Sequence, residues 1–272
     1  MRTVGVLTSG RPSWSPAGID DYDASTYGDR IADTYDEWYV GGGPFGDVSR
    51  AVSFLAELAG PGPALELGVG TGRIALPLLL AGVEVHGIDA SEAMVARLRA
   101  KDGGDRVSVT VGDFRDFDLG IRFPLVYVVF NTFFALLTQD DQVTCFQTVA
   151  RHLADDGVFA MEAFVPDVAR FDRGQRVGAI EVSGDGVRLD VSQHDGIAQR
   201  TDTQHLVIRE DSVRLYPVKV RYAYVAELDL MARLAGMRLR ERWADWDRSP
   251  LSASSAKHVS VWERAPTARG AA

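Results

Sequence analysis

The sequence predicts an α/β fold: a Rossmann-like, doubly wound, mostly parallel seven-stranded sheet with an antiparallel β insertion acting as a lid. Between residues 63 and 163, short apolar runs alternate with segments of helical period, as the strands and covering helices of a parallel sheet do. Glu66-Leu-Gly-Val-Gly-Thr-Gly-Arg73 sets alternate glycines between one such strand and the next helix. Residues 176–220 then change to polar–apolar alternation, the period of half-buried antiparallel strands.

The elements follow in order. Residues 1–19, with Gly, Ser and Pro and little periodicity, form a flexible lead-in. Helices are expected over 26–40 and 49–59, separated by the breaker Gly41-Gly-Gly-Pro44. Apolar runs place strands at 63–67, 83–88, 107–111, 125–130 and 157–163, with helices at 72–81, 91–100 and 139–153. Ser91 followed by Glu92 supplies a cap and a first-turn acid. Asp155-Asp-Gly157 reads as the turn into the fifth strand. The insertion, 165–222, holds about four strands, with turns at Gly184-Asp-Gly186 and Asp195-Gly196. A helix over 224–235 and strands near 237–243 and 257–263 complete a domain spanning 20–264, and 265–272 is a tail. An insertion at the carboxyl edge of a parallel sheet is placed to cover a ligand crevice.

Composition narrows the function. The chain has 272 residues, 46% hydrophobic and 25% charged, enough for one large core. Its formal charge is −9, with no Lys- or Arg-rich block, which disfavours nucleic acid as a partner. The single cysteine, Cys145, sits in an apolar helical pattern and reads as a buried small hydrophobe. The apolar runs are too short to cross a membrane, and no secretory signal pattern opens the chain. A cytoplasmic enzyme with a small-molecule substrate is expected, with a homodimer as an allowed assembly. No metal is expected, because no His, Cys and carboxylate cluster has ligand spacing. Of the histidines, His86 reads as a core residue, and His194 and His205 on the insertion as surface residues, although either could face the crevice.

The glycine turn is the chemical centre. Gly68, Gly70 and Gly72 allow positive φ and close approach of a ligand to the backbone. The helix behind them presents unpaired N–H groups. Shifted by one frame, Gly70-x-Gly72-x-x-Ala75 also fits the dinucleotide fingerprint. The following strands then end in polar residues: Val83–Ile88 at Asp89, Val107–Val111 at Gly112-Asp113-Phe114, and Leu125–Phe130 at Asn131. An acid after the second strand can accept both hydroxyls of a ribose.

This series resembles the class I S-adenosylmethionine-dependent methyltransferases, whose signature is E-x-G-x-G-x-G, an acid after strand two, and an acid with an apolar neighbour further on. The resemblance implies that S-adenosylmethionine lies over Gly68, Gly70 and Gly72. It implies Asp89 at the ribose, Asp113 at the adenine amino group, and Phe114 and Met94 beside the base. Glu66 would brace the loop or meet the amino group of the methionine moiety. Tyr27 and Tyr35 would contact the cofactor, as would Asn131 after strand four. A narrower similarity, to nucleotide-aminosugar N,N-dimethyltransferases, is carried by Tyr27-x-x-x-Ile31-Ala-x-x-Tyr35-Asp36, by Gly112-Asp-Phe-Arg-Asp-Phe117 with Gly120 and Phe123, and by Asp156-Gly157 with Glu162. That family has a histidine shortly after strand four, where this chain has Asn131-Thr-Phe-Phe-Ala135.

The expected activity is methyl transfer to a small secondary-metabolic acceptor, at nitrogen. No histidine or lysine base stands at a strand end, and an amine needs only an exposed lone pair. Glu162, at the end of strand five, is the candidate for catalytic orientation of that amine. The alternatives are O-methylation, a non-methylating catalyst on the same fold, and a nicotinamide-dependent oxidoreductase. The last requires a second cofactor half-site and a hydride acceptor, and the sequence displays neither.

Overall fold

The computed structural model describes residues 22–40 and 48–266. The expected lead-in, the breaker at Gly41–Pro44 and the tail from 267 onward lie outside the described residues.

Seven strands form the main sheet. In chain order they are β1 (Ala64–Leu67), β2 (Val85–Asp89), β3 (Ser108–Val111), β4 (Phe123–Val128), β5 (Leu153–Phe164), β10 (Met237–Trp243) and β11 (Lys257–Arg264). Their spatial order is β10-β11-β5-β4-β1-β2-β3. The first five are mutually parallel, and β11 pairs antiparallel with both β5 and β10. The order reverses at β1, between β2 and β4, so a crevice opens at the carboxyl ends of these strands. β1 is buried along its whole length, as a central parallel strand covered on both faces must be.

Each face carries its own core. One packs α6 (Gln139–His152) and α7 (Val225–Leu234) on the sheet through Phe133, Phe146, Phe159 and Trp262. The other packs α3 (Ser49–Ala59) and α4 (Ala75–Leu80) through Phe54, Leu55, Leu78 and Tyr127. Cys145 is fully buried among the first group, as its apolar setting predicts. Two helices start on the expected kind of cap. Ser91 Oγ accepts the Met94 N–H at 3.1 Å before α5 (Glu92–Arg99), and Thr138 Oγ1 accepts the Asp141 N–H at 3.0 Å before α6.

Strands β6 (Gln175–Val182), β7 (Gly186–Asp195), β8 (Arg200–Arg209) and β9 (Val213–Arg221) form a separate four-stranded antiparallel meander, the predicted insertion. Two expectations need correction. The helix expected over 26–40 is two short helices, α1 (Thr26–Ile31) and α2 (Tyr35–Tyr39). Thr34 Oγ1 donates to the Ile31 carbonyl between them, a local bond that competes with helix continuation. Asp155-Asp-Gly157 is not a turn before β5 but a bulge within it. Phe123 faces Leu153 while Leu125 faces Val158, so the intervening residues loop out. Among the described residues, no helix is long and apolar enough to cross a membrane.

Candidate active site

The turn after β1 has the geometry its glycines allow. Gly68, Gly70 and Gly72 take φ of 72°, 55° and 82°, a region that favours glycine. Nothing lies within 4 Å of where a Cβ on Gly70 would stand, so the backbone faces open space there. Asp89, at the end of β2, reaches back to this turn. Its Oδ2 accepts the Gly70 N–H at 2.7 Å, and its Oδ1 accepts the Ser91 N–H at 2.9 Å. Burial raises its pKa, against the pull of those two bonds. Each carboxylate oxygen retains a second acceptor site for a ligand hydroxyl.

Glu66 lies beneath the turn and is 2% exposed. Its Oε2 accepts the Tyr127 hydroxyl at 3.0 Å, and the Ala75 N–H also bonds to the carboxyl. Burial pushes its pKa up to about 8, because these bonds and the more distant Arg73 cation do not replace lost hydration. A buried acid of this kind suits a ligand that brings its own cation.

The N-terminal segment is strapped across the turn. Ser91 Oγ donates to Asp29 at 2.6 Å, Thr71 Oγ1 donates to Asp36 at 2.6 Å, and Lys101 pairs with Asp36 at 2.7 Å. Gly28 allows this contact, since a Cβ there would stand 2.5 Å from Ser91 Cβ. Arg73 donates to the Tyr35 hydroxyl, and Tyr27 donates to Tyr39. Burial raises the pKa of all three tyrosines, Tyr35 to about 12, so each keeps its phenolic proton at neutral pH. The Tyr39 ring stands 5.1 Å from Phe130, over which the Arg73 guanidinium lies at 4.3 Å.

The structure thus brings Tyr27, Tyr35, Glu66, the three glycines and Asp89 to one end of the sheet. The other candidates fall as follows. Met94 is buried beneath the strap with Ile31 and Ala32. Phe114 is 8% exposed and belongs to the sheet core, with its ring 3.9 Å from where a Gly68 Cβ would stand. Asp113 is partly exposed, and its Oδ1 accepts the Arg115 N–H at 2.8 Å. Asn131 has φ of 66°, and its Oδ1 accepts the Phe164 N–H at 2.7 Å. Phe130 before it is also left-handed, at 57°. Two successive non-glycine residues there mark a constrained corner after β4.

Glu162 requires a correction. It is not an open carboxylate awaiting an amine. Its Oε1 accepts from Lys257 Nζ at 3.0 Å and Trp246 Nε1 at 3.1 Å, and its Oε2 accepts the Phe130 N–H at 3.2 Å. Lys257 already supplies its counter-charge, so Glu162 clamps the β4 corner to β11 and the Trp246 loop.

The histidines of the β6–β9 sheet are not simply surface residues either. His194 Nε2 pairs with the Tyr222 hydroxyl at 2.8 Å. His205 Nδ1 pairs with Asp190 Oδ1 across β7 and β8. Trp38 of α2 packs against this inner face, 5.0 Å from the Tyr216 ring and 6.3 Å from His205, with the Arg188 guanidinium 4.7 Å away. The sequence signal for this pair was the hairpin itself. A loop over 196–199 makes residues whose numbers sum to 395 face one another, as Asp195 and Arg200 do. Asp190 and His205 satisfy that rule.

Comparison with known proteins agrees with the geometry. A methyltransferase-domain family model matches residues 64–157, the span from β1 into β5. The cypemycin N-terminal methyltransferase of a Streptomyces species is 30% identical over 74% of this chain and 82% of its own. The chain belongs to the S-adenosylmethionine-dependent methyltransferases. A dTDP-3-amino-3,6-dideoxy-alpha-D-glucopyranose N,N-dimethyltransferase from Streptomyces fradiae is 32% identical over 68% of this chain and 73% of its own. Among solved structures, the CcbJ methyltransferase of Streptomyces caelestis superposes with a TM-score of 0.85. It is 45% identical, covering 90% of this chain and all of that one. For this methyltransferase the cofactor is S-adenosylmethionine, and the dinucleotide fingerprint in the shifted frame is coincidental.

Proposed function

We propose that this chain moves the methyl group of S-adenosylmethionine onto the nitrogen of a small natural-product-type amine. The carrying observation is the aromatic cluster beside the glycine turn, Tyr27, Tyr35, Tyr39, Trp38 and Phe130, in which Phe130 and Trp38 already face the Arg73 and Arg188 guanidinium groups and the Tyr27 and Tyr35 rings remain for a ligand. Neutral aromatic faces attract cations, and both the sulfonium donor and the ammonium form of an amine are cations. Two relatives, 32% and 31% identical, are named as N,N-dimethyltransferases of amino sugars.

The site residues fit the cofactor. Glu66 offers a buried acceptor to an amino group, Asp89 offers lone pairs to two hydroxyls, and open space beside Gly70 admits a ligand to the backbone. Asp113, Phe114 and Met94 are assigned to the adenine end, and Asn131 to the corner where cofactor and acceptor meet. The bound cofactor supplies an electrophilic methyl group with a neutral thioether as leaving group. The protein then has to align the nucleophile and exclude water, which is worth up to about 7–11 kcal/mol when alignment is ideal. The strap and the lid meet through Trp38 and supply that enclosure.

The test is turnover of the purified chain with S-adenosylmethionine and a panel of primary and secondary amines with their hydroxyl counterparts. Release of S-adenosylhomocysteine with amines only is expected. Release with hydroxyl compounds only would replace N- by O-methylation.

A further inference from the structure

The inner face of the lid carries a histidine–carboxylate pair that the cofactor motifs do not use. His205 lies opposite Asp190 in the β7–β8 ladder, with its Nδ1 bonded to Asp190 Oδ1. An ionised carboxylate only accepts, so Nδ1 donates to it, and the neutral ring then carries its lone pair on Nε2. Nε2 makes no hydrogen bond to the described residues. His194 is the contrast on the same strand pair: its Nε2 is tied to Tyr222, and its ring stacks on Phe171 at 4.6 Å.

The surroundings join this pair to the cofactor end. Trp38 meets the His205 ring edge-on, and Tyr216 of β9 lies directly opposite His205. Tyr39, adjacent to Trp38, carries the electrostatic influence of both Asp190 and Arg188. Tyr39 also packs on Phe130 at the β4 corner. The charged groups facing the pair are Arg188, which also pairs with Glu181 at 3.4 Å, and Arg170, which interacts with Asp190.

We propose that His205, oriented by Asp190, is the proton acceptor for the substrate nitrogen. The inference rests on the N-methylation reading. The acceptor enters as its ammonium form, drawn by the aromatic cluster, and gives one N–H proton to His205 Nε2. The freed lone pair forms the N–C bond, and the electrons of the breaking C–S bond stay on sulfur. His205 returns its proton to solvent when the lid opens. The arrangement of a base and a part-buried orienting carboxylate is that of general-base pairs elsewhere.

The test compares wild type, His205→Ala and Asp190→Asn as full-length chains with the best-accepted amine of the panel. Below the amine's own pKa, His205→Ala should lose about 10²-fold or more in kcat/KM. The gap should close as pH rises past that pKa, because the amine then arrives already deprotonated. Added imidazole should restore part of the lost rate, Asp190→Asn should show a smaller loss of the same shape, and S-adenosylmethionine affinity should be unchanged. A gap that stays constant with pH and resists imidazole would reduce the pair to a structural bridge and overturn the proposal. The N-methylation reading is judged separately, from the wild-type product alone. If no amine turns over, nitrogen-15 histidine spectra of the S-adenosylhomocysteine complex decide. Pyrrolidine should shift the resonance that His205→Ala removes, and an unmoved resonance overturns the assignment.

Discussion

Replacing Asp89 with Ala strikes the cofactor site where the geometry is most explicit. The carboxylate holds the Gly70 and Ser91 N–H groups at 2.7 and 2.9 Å and retains two acceptor positions for ribose hydroxyls. Hydrogen bonds to a charged group contribute about 1.5–3 kcal/mol each, so loss of two ribose bonds amounts to about 3–6 kcal/mol. Part of this is offset. Burial already disfavours the Asp89 charge, and water can enter the space the side chain leaves. A residual loss of at least about 1.4 kcal/mol corresponds to a tenfold or greater rise in Kd for S-adenosylmethionine. Calorimetric titration of the purified variant measures it, with a thermal melt without ligand to establish that the variant is folded. An affinity within about twofold of wild type in a folded protein would refute the ribose assignment.

Three other outcomes follow from the same structure. Glu66, pushed up to about 8 from 4.5, is largely protonated near neutrality in the free protein, so its contribution to stability is present below 4.5 and lost as pH rises through 8. A cofactor ammonium beside it favours the carboxylate, so binding near pH 7 should release a proton, seen as a buffer-dependent binding enthalpy that vanishes in Glu66→Gln. Glu162→Gln removes one of the two carboxylate partners of the half-exposed Lys257, Asp245 remaining, and should cost about 1 kcal/mol of stability, read by denaturant titration, while cofactor Kd stays unchanged. Cofactor binding should raise hydrogen-exchange protection in 22–40 and 175–221 as well as around the glycine turn; protection confined to 64–135 would remove the lid function.

Much of this was legible in the sequence because it is local. A buried parallel strand is an apolar run, and a turn demanding positive φ is spelled in glycines, so β1 to β5 and the Gly68–Gly72 turn were found by period and spacing. The antiparallel insertion announced itself through Gly184-Asp-Gly186 and Asp195-Gly196. What escaped depends on pairing between distant segments. Whether Glu162 is open or satisfied is decided by Lys257 on β11 and by Trp246, 95 and 84 residues away along the chain. His205 acquires chemical meaning only through the register that sets it against Asp190, and through Trp38, which arrives from the N-terminal strap. The break between α1 and α2 is a local turn in which both the N–H and the hydroxyl of Thr34 donate to the Ile31 carbonyl.

The position of the transferred methyl group tests the central claim most directly. An amino alcohol accepted by the enzyme offers nitrogen and oxygen to the same site, and a trideuteromethyl-labelled cofactor marks the atom chosen. Mass spectrometry of the product, with carbon NMR to locate the label, should find it on nitrogen alone. Label on oxygen, or consumption of the cofactor with no label on the acceptor, would contradict the account.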